Sequence, residues 1–138
     1  MMQFNIQSIE HLDAVSNYIV SNMKNYKTFC FFGNLGAGKT TLINNICQKL
    51  QITDEVSSPT FSIIQEYKYG KDIICHIDLY RVNAIEEAID IGIEDYLYHH
   101  ICFVEWADNF IELMPLPYMN IQITQIDDKR IIDINVVN

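Results

Sequence analysis

Between an apolar pentapeptide, Thr28-Phe29-Cys30-Phe31-Phe32, and a helix-periodic stretch beginning at Lys39 lies Gly33-Asn34-Leu35-Gly36-Ala37-Gly38-Lys39-Thr40. The segment satisfies G-x-x-x-x-G-K-[ST] in full and stands between strand and helix, the context a phosphate-binding loop requires. Glycines at 33, 36 and 38 free the backbone to turn successive N–H groups inward as a nest for phosphate oxygens. A helix opening at Lys39 aims its positive end at the same place, and the Lys39 ammonium is expected to reach the outer phosphates. Thr40 is expected to set its hydroxyl on a magnesium ion, and Thr41 to touch an inner phosphate.

The rest of the chain alternates strand and helix patterns. Met2, Phe4 and Ile6 alternate with polar residues as a half-buried strand does. Ser8 reads as a helix N-cap, and Ile9, Leu12, Val15, Ile19 and Met23 predict an amphipathic helix over 9–23 that packs on a sheet. Leu42, Ile46 and Leu50, widened by Ile43 and Cys47, stripe the helix after the loop, and 51–60 reads as a connection. Phe61–Tyr67 and Ile73–Leu79 read as strands around Tyr69-Gly70-Lys71-Asp72, with Gly70 at the first central position of a two-residue turn. Asn83 with Glu86 predicts a capping-box start for a helix over 84–90 that stops at Gly92. A helical turn over Glu94–Tyr98 precedes a second unalternated apolar strand, Ile101–Val104, which runs into Glu105-Trp106. Pro115 and Pro117 end any helix that follows. Ile121 and Ile123, then Ile132, Ile134 and Val136, flank Asp127-Asp128-Lys129 as a closing hairpin. Apolar strands interleaved with helices mean a parallel sheet covered on both faces. The expected architecture is α/β: a three-layer P-loop NTPase fold with a mostly parallel central sheet, antiparallel marginal strands and a C-terminal hairpin, one domain over 1–138.

Composition narrows the partners. Nearly half of the 138 residues are apolar (49%), and five glycines with three prolines are too few for a disordered chain. Nine basic against eighteen acidic side chains leave a formal charge of -9. That is the wrong sign for gripping nucleic acid by counterion release, so any RNA or DNA role is expected to run through a partner, with RNA contact indirect and no direct DNA contact. No apolar run approaches the ~20 residues that cross a bilayer. The start of the chain carries Glu10 and Asp13 without a basic and apolar leader pattern, so a cytoplasmic location with no membrane partner is expected. Cys30, Cys47, Cys75 and Cys102 form no C-x-x-C pair and read as buried, reduced thiols.

Magnesium travels with nucleoside triphosphates, so carboxylates near the loop suit an acidic chain that binds phosphate locally. Asp78 closes one predicted strand and Glu105 another, and parallel packing would bring both to the carboxyl edge of the sheet. Either one holds magnesium directly or through water, or orients or deprotonates an attacking water; a solvated strand-end carboxylate is the alternative. Asp78, Glu105 and Lys39 are therefore the catalytic candidates. His76 shares a strand face with Asp78 and is either a site residue or a hydrogen-bonded structural histidine. His99-His100 lacks a third ligand at a sensible spacing and reads as a solvated loop pair. Glu86, Glu87, Asp90, Glu94 and Asp95 read as a wet helix face, or as a dock for a basic partner.

The loop Gly33–Thr41, then Ser58-Pro59-Thr60-Phe61, His76-Ile77-Asp78-Leu79-Tyr80-Arg81 and Glu105-Trp106, stand in an order and spacing similar to the TsaE family, earlier known as YjeE. That family is the P-loop ATPase component of bacterial tRNA threonylcarbamoyladenosine biosynthesis. The resemblance implies ATP as substrate, Mg2+ as cofactor, and partners of the TsaD and TsaB types in the complex that transfers the threonylcarbamoyl group. It makes Thr40 and Glu105 magnesium ligands, Glu105 a candidate for activating water, and Asp78 a second acidic contact to the metal or its waters. It also makes Ser58–Phe61 a switch segment whose Thr60 approaches the γ-phosphate. Trp106 then walls the nucleotide site or serves as a core aromatic. Arg130 swings to the nucleotide or pairs with Asp127 or Asp128. Asn34 departs from the family, which usually has Asp there.

Competing uses of such a loop differ in what else they need. A small-molecule kinase commonly closes several arginines over the phosphates, whereas this chain has Arg81 and Arg130 alone. A signalling GTPase reads guanine through N-K-x-D or T-K-x-D, and neither tetrapeptide occurs. The remaining readings are a slow ATPase whose site a partner completes, and an ATP-gated module that regulates a partner by occupancy.

Overall fold

The computed structural model describes residues 1–52 and 63–138. In chain order the elements are β1 (Met2–Ile6), α1 (Ile9–Asn22), β2 (Thr28–Phe32), α2 (Lys39–Lys49), β3 (Ile64–Tyr69), β4 (Asp72–Asp78), α3 (Ile85–Ile91), α4 (Ile93–His99), β5 (Ile101–Glu105), a 3-10 turn (Ile111–Leu113), β6 (Tyr118–Ile126) and β7 (Lys129–Val137). The two unalternated apolar runs are β2 and β5, in which every residue is buried. They pair in parallel at the middle of a seven-stranded sheet ordered β1-β7-β6-β2-β5-β4-β3.

Side chains alternate across each strand, so β2 and β5 supply two cores. Phe29, Phe31 and Phe103 face Val15 and Ile19 of α1 and Leu42, Ile43 and Ile46 of α2. Phe103 meets the two β2 rings edge-on, at 5.7 and 5.9 Å between centroids, the arrangement favoured by ring quadrupoles. On the opposite face Cys30, Phe32, Cys102 and Val104 pack beneath Ala88 of α3, Ile93 and Leu97 of α4, and Phe110. Helices cover both faces, giving three layers.

A polar clamp joins α1 to α2. Buried Ser16 donates to Asn45 Oδ1 at 2.6 Å, and Asn45 Nδ2 donates to Asp13 at 3.1 Å. Lys49 stands 3.3 Å from the same carboxylate. The Asn45 amide, helped by Lys49, holds the Asp13 carboxyl below its ordinary value. All four cysteines are free and buried, and burial pushes the thiols of Cys30 and Cys47 up to about 12, which leaves them unreactive.

Several expectations shift. The closing hairpin is not wholly marginal: β6 pairs in parallel with β2, so the parallel core is β6, β2, β5 and β4, and the antiparallel pairs are β1–β7, β7–β6 and β3–β4. Ser8 occupies the N-cap of α1 but makes no side-chain cap bond. Ile9, at the head of the predicted buried stripe, is 62% exposed. The cap of α3 is Ala84 instead of Asn83, and the carboxylate that reaches back to accept the Asn83 N–H, at 3.0 Å, is that of Glu87 instead of Glu86. His99 ends α4 rather than lying in a loop. β3 begins at Ile64, and most of the predicted 51–60 connection lies outside the described residues. Among the described residues no helix is long and apolar enough to cross a membrane.

Candidate functional site

The loop is positioned by β2, whose end it leaves, and by α2, which it starts. Gly33 sits where a Cβ would come 2.8 Å from the Ile123 carbonyl oxygen and 3.1 Å from Ala37 Cβ, so β6 closes against bare backbone. Ala37 N–H donates to the Asn34 carbonyl at 2.9 Å, closing the turn. Gly38 caps α2 at φ +110, a region side chains avoid. Gly33→Ala should therefore cost about 1–3 kcal/mol by overpacking, read as a lowered midpoint in thermal or urea unfolding.

Lys39, the first residue of α2, is buried, and its Nζ donates to the carbonyls of Gly33 and Asn34. The ammonium also lies 3.8 Å from the centroid of Trp106, a cation–π contact. Burial lowers the Lys39 pKa from its ordinary value, opposed by Glu105, Asp108 and Asp78, which favour the charged form. Trp106 adopts φ +59, rare for a bulky residue, directly after β5 ends. Its ring also packs on Tyr80, with centroids 4.9 Å apart. Trp106 is thus both a wall of the loop region and a partner of the β4/β5 core cluster.

The next residue, Thr40, points at β5. Its Oγ1 lies 3.1 Å from both carboxylate oxygens of Glu105. Glu105 is 2% exposed, and its Oε2 also stands 2.5 Å from His76 Nε2. Strand register explains the convergence: β4 and β5 run parallel with His76 opposite Phe103 and Asp78 opposite Glu105, so all four face α2. Asp78 Oδ1 accepts the Tyr80 N–H at 3.0 Å.

Lys39, Thr40, Asp78, Glu105 and Trp106 are thus brought together at the carboxyl edge, and His76 joins them. Asn34 enters through its carbonyl, and Leu35 lies 74% exposed at the tip of the loop. Arg130 of β7 reaches the loop from the other side: a Cβ on Gly38 would lie 3.5 Å from its Nε. Among the described residues Arg130 makes no ion pair with Asp127 or Asp128. Thr60, with the rest of Ser58–Phe61, lies outside the described residues.

Sequence reasoning missed a groove. Ile6, Ile9, Leu12, Leu42 and Ile132 line a cavity of about 250 Å³ whose polar margin holds Gln7, Ser8, Gly38, Thr41, Asp128 and Arg130. Its apolar residues satisfy ordinary core periodicity. The sequence carries no signal for it: Ile9 fits the buried stripe, and its exposure is visible only in the structure.

Glu105 and Thr40 offer hard oxygen donors side by side, the set that magnesium accepts. Among the described residues no three His, Cys, Asp or Glu side chains cluster as a metal cage, but magnesium carried by a triphosphate needs only one or two protein oxygens.

Residues 6–132 match the family model described as threonylcarbamoyl adenosine biosynthesis protein TsaE. A Bacillus subtilis protein, described as tRNA threonylcarbamoyladenosine biosynthesis protein TsaE, is 35% identical over 130 residues, 93% of this chain and 81% of that protein. A Haemophilus influenzae protein of the same description is 37% identical over 103 residues, 74% of this chain and 65% of its own length. The crystal structure of Bacillus subtilis YdiB superposes with a TM-score of 0.77 at 29% identity, covering 99% of this chain and 86% of that one.

Proposed function

The chain belongs to the TsaE family of tRNA threonylcarbamoyladenosine biosynthesis, and from that premise we propose that it binds ATP with magnesium at Gly33–Thr41 and hydrolyses it slowly, in support of TsaD- and TsaB-type partners. The observation that carries the reading is the convergence of Lys39, Thr40 and Glu105 at one mouth, where a glycine-rich turn leaves the central strand of a three-layer sheet. That placement also supports a P-loop NTPase fold.

Each residue has a distinct task. Backbone N–H groups of the loop and the start of α2 cradle the phosphates, and the Lys39 ammonium neutralises the outer ones. Thr40 and Glu105 would hold magnesium, with Asp78 beside them, and the metal would supply charge neutralisation for the transferring phosphoryl group. Glu105 orients the attacking water and takes its proton. The apolar groove beside Thr41 takes the base, with Gln7 and Ser8 at its polar edge.

Lys39 and Arg130 are the cations that the described residues bring to the loop, and in other NTPases one further cationic group changes turnover by about 10³ to 10⁵. Turnover by the isolated chain should therefore be slow, with a partner completing the site.

Trp106 reports directly on this reading. It is the single tryptophan and carries the Lys39 ammonium on its ring, so ATP that draws Lys39 toward phosphate should change its emission. Titration with magnesium and ATP should give a saturable change, with GTP weaker. Phosphate release should rise when TsaD- and TsaB-type partners are added. Flat titrations with every nucleotide would remove the ATP assignment; fast release by the chain alone, unaltered by partners, would remove the partner's role.

A further inference from the structure

Glu105 is almost wholly buried, and a buried carboxylate needs partners for its lone pairs. Thr40 has one proton to give and lies equally far, 3.1 Å, from both carboxylate oxygens. By itself it leaves the rotation of the carboxyl plane undetermined. His76 breaks that symmetry, since its Nε2 stands 2.5 Å from Oε2 alone. The histidine is itself fully buried in the middle of β4, opposite Phe103, so its ring has little room to turn.

A carboxylate only accepts, so the Nε2 proton points at Glu105. Nδ1, also buried, has no hydrogen-bond partner among the described residues. A bare acceptor is tolerated in a protein interior better than an orphan N–H, which favours the tautomer with its proton on Nε2. A histidine kept only for packing would not need its donor committed to a buried carboxylate at the mouth of the loop. We propose that His76 is a positioning residue: its Nε2–H fixes the carboxyl plane of Glu105 so that Oε1 is presented to Thr40 and to the water being activated. The assignment rests on the ATPase reading above.

The test compares His76→Leu, which removes the donor, with His76→Gln, whose amide nitrogen reaches about as far as Nε2. His76→Asn, too short to reach Glu105, serves if the leucine variant does not fold. Melting temperature and ATP affinity by Trp106 fluorescence are measured beside steady-state hydrolysis. His76→Leu should lower kcat about 10- to 100-fold, the cost of a misplaced catalytic group, while ATP affinity stays within about threefold. His76→Gln should recover most of the loss. In a Glu105→Gln background the leucine change should add nothing, because the carboxylate it positions is gone. A folded leucine variant with parental kcat, a glutamine variant as impaired as the leucine one, or a full additional loss in the Glu105→Gln background would each overturn the assignment while leaving ATP hydrolysis intact. Failure of the parent to bind or hydrolyse ATP would overturn both readings.

Discussion

Lys39→Ala is expected to weaken ATP binding by at least about 100-fold while leaving the fold intact. Charge-assisted hydrogen bonds contribute about 1.5–3 kcal/mol each, and tenfold in affinity is about 1.4 kcal/mol, so losing two ammonium–phosphate contacts reaches that size. Stability should move little, for a reason visible at the site. Burial opposes the charge on Lys39, and three carboxylates, Glu105, Asp108 and Asp78, favour it. Removing the lysine relieves the first effect and forfeits the second. Trp106 emission should differ from the parent even without nucleotide, because the ammonium leaves its ring. Calorimetry with magnesium and ATP, beside a melting curve, checks both halves. Parental affinity in a folded Lys39→Ala protein would mean that the loop does not hold the triphosphate.

How much of this was legible in the chain follows from how local each signal is. The loop, β2, β5 and α2 were readable because their patterns close within about a dozen neighbouring residues: a glycine turn, a run without alternation, a period of 3.6. Asp78 and Glu105 were readable as strand-end carboxylates for the same reason. What is set by pairing between distant segments was not. The parallel docking of β6 on β2 depends on Phe29 meeting Met119, 90 residues later, and nothing in the hairpin's own alternation distinguishes it from a marginal pair. His76 could be assigned to a face of its strand, but not to Glu105, until the β4–β5 register placed the two rows together. The shift of the α3 cap is subtler. Glu86 and Glu87 are both acidic and adjacent, so sequence spacing alone cannot say which carboxylate reaches back to Asn83. The groove beside Thr41 was hidden for a different reason, since an apolar side chain that lines a cleft follows the same period as one that lines a core.

Glu105→Gln separates holding the nucleotide from cleaving it. Glutamine is nearly isosteric, and its amide oxygen still accepts from His76 while its NH2 donates to the Thr40 hydroxyl, so the buried contacts around position 105 survive. What disappears is the negative charge and the capacity to take a proton from water. General-base catalysis is worth about 10² to 10⁴ in rate, so hydrolysis should fall by at least about 100-fold. ATP affinity rests mainly on the loop backbone and Lys39, and should stay within about tenfold of the parent even with one carboxylate contact to magnesium lost. Single-turnover phosphate release, measured beside Trp106 titration, distinguishes this outcome from a general loss of binding. Cleavage by Glu105→Gln at the parental rate would remove Glu105 as the water-activating group. Asp78, one strand away in register and already accepting the Tyr80 N–H, would then be the carboxylate left to examine.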